Sequence, residues 1–160
     1  MVSAQNKAVV DAIKRSDLNS YKALSDLLDM AKVIADPEGD HDLAYALKLT
    51  NFIKRKIPTL PSSIVLNQLY WQAMKFEAPH RFESFLLYME KNRSPKKRFY
   101  QPRAKTLHVV VEDLQDLEDG LIEFYGLSLP PRVGKSTVCI FFLAWCAGRH
   151  PDLHNAMGGH

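Results

Sequence analysis

Leu121-Ile122-Glu123-Phe124-Tyr125-Gly126-Leu127-Ser128-Leu129-Pro130-Pro131-Arg132-Val133-Gly134-Lys135-Ser136-Thr137 is the stretch on which the fold turns. Its first part is largely apolar and is bounded by Gly120 in front and a proline pair behind, so residues 121–129 read as a buried strand. Residues 134–148 read as an apolar helix. Helix, strand, tight loop, helix is the opening of an α/β domain built on a parallel sheet.

The loop between the two has the parts that phosphate binding requires. A phosphate cradle needs backbone N–H groups turned to one point, the positive end of a helix, a lysine for the outer phosphates and a hydroxyl for Mg²⁺. Gly134 permits the tight turn, Lys135 brings the charge, Ser136 the metal-facing hydroxyl and Thr137 a further hydroxyl at the helix start. Gly-Lys-Ser alone is a weak signal; the apolar strand pattern before it and the apolar helix after it strengthen it. The loop departs from G-x-x-x-x-G-K-[ST], because Leu129 stands where the first glycine belongs. Pro130 and Pro131 remove two donors and stiffen the entrance. Arg132 adds a cation with two readings: an internal arginine finger on the transferring phosphoryl, or a partner for an acid elsewhere.

Upstream, helical patterns alternate with breakers. Residues 2–14 carry Val9, Val10 and Ile13, and Asp17 is placed to cap a second helix with Leu24, Leu27, Leu28 and Ala31 on one face. After a break at residues 36–40, a third helix over 42–54 presents Leu43, Ala46, Leu47 and Ile53. Ser62 caps a fourth, with Ile64, Leu66, Leu69, Tyr70, Ala73 and Met74, and Pro79 separates it from a fifth around Phe82, Phe85, Leu86 and Met89. This region reads as a packing or docking module. A sixth helix enters through Pro102, carries Leu107, Val110, Val111, Leu114 and Leu117, and ends at Gly120. The expected organisation is a helical docking domain at 1–92, a basic linker at 93–98, and an ATPase domain beginning at 99–160.

The net charge of +3 is small, but its distribution is uneven. Residues 91–105 hold Lys91, Arg93, Lys96, Lys97, Arg98, Arg103 and Lys105 and no acid, a run that reads either as a contact to DNA phosphates or as a solvated linker. Cys139 and Cys146 lie seven apart on one helix face and read as core residues, without the spacing of a metal or redox motif. His150 and His154 stand at i,i+4, but Pro151 between them argues against a metal pair. With 160 residues, no window that spans a bilayer and no signal-peptide layout, the chain is expected to be a soluble cytoplasmic protein without membrane contact.

Leu-Pro-Pro-Arg-Val-Gly-Lys-Ser-Thr at 129–137, Phe-Phe-Leu-Ala-Trp at 141–145 and Gly-Arg-His-Pro-Asp at 148–152 together resemble the large terminase subunit of tailed bacteriophages, over about residues 99–160. Members carry a Pro/Ser-x-Arg-x-Gly-Lys-[Ser/Thr] loop without the first glycine. The resemblance implies a RecA-like ATPase that translocates double-stranded DNA into a prohead in the host cytoplasm. Such a motor is joined to a metal-dependent endonuclease and works as a homo-oligomer with the portal and small terminase subunit. It implies that Gly134, Lys135, Ser136 and Thr137 hold ATP and Mg²⁺, that Arg132 is the motor's loop arginine, and that Phe99-Tyr100-Gln101-Pro102-Arg103 meets adenine through Tyr100 and Gln101. The family's second acidic motif and nuclease carboxylates have no counterpart by residue 160. A truncated sheet, and a piece without efficient ATP turnover of its own, are therefore expected. Two rivals stand beside this reading: a helical partner-binding module for the small terminase, the portal or a host sensor, and another P-loop nucleic-acid motor.

Overall fold

The computed structural model describes residues 2–38 and 41–152; His154, His160 and the Gly39-Asp40 part of the first break lie outside them. The chain divides into two compact units, Met1–Glu77 and Ala78–His160.

The first unit holds α1 (Ala4–Arg15), α2 (Tyr21–Ala35), α3 (Leu43–Lys56) and α4 (Ile64–Glu77), with a single 3-10 turn at Ile57–Thr59. Each of the first three starts on a short polar side chain that satisfies an orphan N–H of the first turn. Ser3 accepts from Asn6, Ser20 from Ala23 and Asp42 from Tyr45. Asp17 is not the cap of α2; its carboxylate instead closes a turn by accepting from the N–H of Asn19 at 2.9 Å. The apolar faces meet in one cluster that includes Val10, Leu24, Leu27, Leu28, Ile34, Leu49, Ile53 and Leu69. Glu77 is buried among them, accepting from the Thr50 hydroxyl at 2.6 Å and pairing with Lys54. A carboxylate in this position is tolerated because both oxygens are satisfied.

The second unit holds α5 (Phe82–Glu90), α6 (Ala104–Glu118) and α7 (Lys135–Arg149), with 3-10 turns at Pro95–Lys97 and Gln101–Arg103. The units divide between Glu77 and Ala78, whereas the sequence placed a linker at 93–98. Phe82 and Leu86 of α5 are buried with Leu107, Val110 and Leu114 of α6 and Val138 and Trp145 of α7. The basic run is itself folded in part. Pro95–Lys97 forms a turn, and the Arg98 guanidinium donates to Arg93 O at 3.0 Å and Gln101 Oε1 at 2.6 Å.

The expected α/β architecture is overturned. Every regular element among the described residues is helical, and the predicted strand at 121–129 is not one. After Gly120 closes α6 at φ +72°, the chain runs extended, with Tyr125, Leu127 and Leu129 packed against the core and Phe124 86% exposed. From 123 to 129 no backbone–backbone hydrogen bond forms among the described residues. Period-2 apolar patterning makes an extended segment fit a pleated or a helical surface equally well. Only a neighbouring strand supplies the ladder that makes it a sheet. Here the segment packs as a strap over helices, and the fold is helical, not the start of a RecA-like domain.

No helix among the described residues is long and apolar enough to cross a membrane.

Candidate nucleotide-binding loop

The strap delivers the chain to Pro130 and Pro131, and the backbone then turns sharply. Arg132 has φ +69° and Gly134 φ +101°, both in the left-handed region. Glycine enters that region freely; an arginine there carries local strain of about 1–3 kcal/mol, of the kind that ligand clamps retain. Gly134 is the N-cap of α7. Its carbonyl accepts from Val138 N–H at 3.0 Å, and no side chain caps the first turn. The N–H groups of Lys135, Ser136 and Thr137 are thus the orphan donors that every helix start presents, left here for a ligand or water.

Residues 129–132 and 134–137 line a cavity of about 410 Å³. Arg132, Lys135 and Ser136 are exposed at it, and neither cation has an acidic partner among the described residues. Helix dipole, N–H donors and two cations converge on one concavity, an arrangement that suits a polyphosphate. Mg²⁺ needs little more from the protein than the Ser136 hydroxyl, because it keeps phosphate and water oxygens in its shell. No cluster of three His, Cys, Asp or Glu among the described residues holds a metal by itself.

The segment proposed for adenine lies differently. Tyr100 is 0% exposed; its hydroxyl donates to Glu83 Oε1 at 2.7 Å, and burial together with that carboxylate pushes its ionisation far up. Its ring offers no free face to a base. Gln101 is exposed and accepts from Arg98. It is Phe99 that reaches the loop. A Cβ built on Gly134 would overlap the Phe99 ring, lying 3.1 Å from Cζ and 3.2 Å from Cδ2.

Further along α7, Trp145 is buried against Phe82, its indole N–H donating to Ala78 O at 2.8 Å. In the Gly-Arg-His-Pro turn that follows, Arg149 lies 4.6 Å over the Trp145 ring and reaches Asp119 at 3.3 Å, while His150 Nε2 stands 3.0 Å from Glu118 Oε1. Cys146 is buried and free, and burial with a hydrogen bond to Glu118 pushes its thiol up to about 12. At pH 8 such a thiol is ionised only to about one part in ten thousand, and the thiolate is the nucleophile. Alkylation at pH 8 mapped by mass spectrometry is therefore expected to modify Cys146 only upon unfolding; modification of the native chain at a free-thiol rate would contradict this burial.

Glu90 is the residue that sequence reasoning missed. It is 3% exposed, and its carboxylate accepts the N–H groups of Phe99, of Tyr100 at 2.6 Å and of Gln101 at 3.1 Å. The signal was its spacing: Phe82, Leu86 and Glu90 fall at i, i+4 and i+8, which places a carboxylate on the apolar face of α5.

Compared with known proteins, the chain matches no protein-family model, no curated protein and no solved structure.

Proposed function

We propose that the loop at 129–137 grips the phosphates of ATP with Mg²⁺. The observation that carries this is the left-handed Gly134 at the uncapped start of α7, with Lys135 and Ser136 exposed at the cavity beside it. In this reading Lys135 neutralises the outer phosphates, Ser136 and Thr137 supply hydroxyls, and Arg132 stabilises charge on the phosphoryl that is transferred. Bound Mg²⁺ supplies charge neutralisation between the phosphates. The wider assignment is the ATP-binding part of a DNA-packaging motor of the large-terminase kind, acting on double-stranded DNA with portal and small terminase. It rests on the sequence resemblance over about residues 99–160; the RecA-like sheet that the resemblance implies has no counterpart among the described residues, whose regular elements are helical.

Phosphate recognition is tested by competition. Against a fluorescent ATP analogue, ATP, ADP and inorganic tripolyphosphate should displace the probe while adenosine should not. Each phosphate lost should weaken binding by about tenfold or more, the worth of one charge-assisted hydrogen bond. Displacement by adenosine at ATP-like concentrations would contradict the reading.

A second reading has its own support in the first unit. Ile57, Leu60, Ile64, Leu66 and Tyr70 help line a groove of about 490 Å³, and Ile64 is 79% exposed. This face suits a partner-docking module. Ile64→Glu would then abolish partner capture by the portal or small terminase while leaving nucleotide binding intact; unchanged capture would remove this reading.

A further inference from the structure

We propose that Glu90 is a positioning residue for the nucleotide loop, acting through Phe99, whose ring edge stands against Gly134. The proposal deepens the phosphate-gripping reading of 129–137 and rests on it for its consequence in binding.

The connection runs through three short steps. First, the Glu90 carboxylate collects three successive backbone donors, those of Phe99, Tyr100 and Gln101. A buried carboxylate with several N–H donors makes charge-assisted bonds, so this turn is held more firmly than an ordinary surface loop. The other side of the Phe99 peptide is held as well, because Arg103 Nη1 donates to Phe99 O at 3.0 Å.

Second, the Phe99 ring is packed by two neighbours. It lies nearly parallel to Phe141 of α7, with ring centres 6.1 Å apart and planes 16° apart, and the Arg103 guanidinium stands 5.8 Å from its centre. Only 9% of Phe99 is exposed. Third, the ring occupies the space that a side chain at 134 would take. The loop backbone at Gly134 therefore abuts the edge of the Phe99 ring at Cε2, and the backbone that carries the ring is anchored by the carboxylate at the end of α5.

The Gly-Lys-Ser motif does not call for such a support, and Glu90 touches no part of the cavity. What the support supplies is preorganisation. A loop held in its strained left-handed turns before ligand arrives loses less conformational freedom on binding.

The test uses the full chain in two states. Amide hydrogen exchange of residues 132–137 is measured without nucleotide, and affinity for a fluorescent ATP analogue with Mg²⁺ is measured separately. The variants are Phe99→Leu, which keeps an apolar side chain but removes the flat ring, and Glu90→Gln, which keeps shape but removes charge. Both should retain the helical circular dichroism of the native chain while the loop amides exchange about tenfold faster or more. Affinity should fall by about tenfold in the same variants. Gly134→Ala should weaken binding less on a Phe99→Ala background than on the native chain, since the methyl then has space. Unchanged loop exchange in a folded Phe99→Leu chain overturns the proposal, as does general loss of helix in that variant, which would make Phe99 an ordinary core residue. If loop exchange responds but the native chain binds no nucleotide, the positioning stands and the phosphate reading falls.

Discussion

Gly134→Ala is expected to abolish tight nucleotide binding. Two independent effects act at this position. At φ +101° an alanine is strained, and its methyl would collide with the edge of the Phe99 ring at Cε2. Strain of this kind is worth about 1–3 kcal/mol before any overlap is counted. The backbone relieves both by leaving the left-handed turn, which rotates the first N–H groups of α7 away from the cavity. If about 3 kcal/mol separates the binding-competent turn from the relaxed one, affinity falls by about a hundredfold or more. Titration of the fluorescent analogue checks this, with circular dichroism as the control for folding. Affinity within threefold of native would mean that the turn at 134 is not what presents the loop to its ligand.

Trp145→Ala is the second large expected effect, and it bears on stability. Trp145 is 2% exposed, with its ring 5.3 Å from Phe82 and 6.2 Å from Phe142, and its indole N–H satisfied by Ala78 O. Truncation leaves a cavity between α5 and α7, strips Arg149 of the ring it lies over and leaves Ala78 O without that donor. Removal of a buried tryptophan side chain costs about 3–5 kcal/mol. Urea denaturation followed by circular dichroism should show the loss as a lower midpoint for the second unit. A change below about 1 kcal/mol would contradict the packing of α7 on α5.

How far the sequence discloses this structure depends on whether the deciding information is local. The seven α-helices among the described residues are legible because each carries its own apolar face and punctuation: Leu24, Leu27, Leu28 and Ala31 mark α2, and Gly120 ends α6 where a left-handed residue was needed. The start of α7 at Gly134-Lys135 is legible for the same reason. The segment 121–129 is not, since Tyr125, Leu127 and Leu129 alternate as they would in a strand, and the missing ladder is a property of neighbours. The division of the chain is likewise non-local. The charge run at 93–98 resembles a linker, but Phe82 and Leu86 find their partners in α6 and α7.

Within the candidate site, the loop residues Arg132, Gly134, Lys135, Ser136 and Thr137 line one cavity. The adenine segment does not follow its pattern. Phe99 and Tyr100 are adjacent aromatics, and only the turn fixed by Glu90 decides that Phe99 meets the loop while Tyr100 enters the core. Glu77 and Glu90 share a readable signature, a carboxylate one helical repeat beyond an apolar face: Ala73 to Glu77 in α4, Leu86 to Glu90 in α5. Each is buried and satisfied by specific donors.

The most direct measurement is a titration of a fluorescent ATP analogue with Mg²⁺ against the native chain and against Lys135→Ala. Lys135 is exposed at the cavity, so its removal leaves the core packing intact and subtracts one charge from the phosphate grip, worth about 1.5–3 kcal/mol, or about ten- to a hundredfold in affinity. A phosphate grip at this loop requires saturable binding by the native chain and a loss of that size in Lys135→Ala. Equal binding by both chains, or no binding by a native chain that circular dichroism shows to be folded, would contradict it.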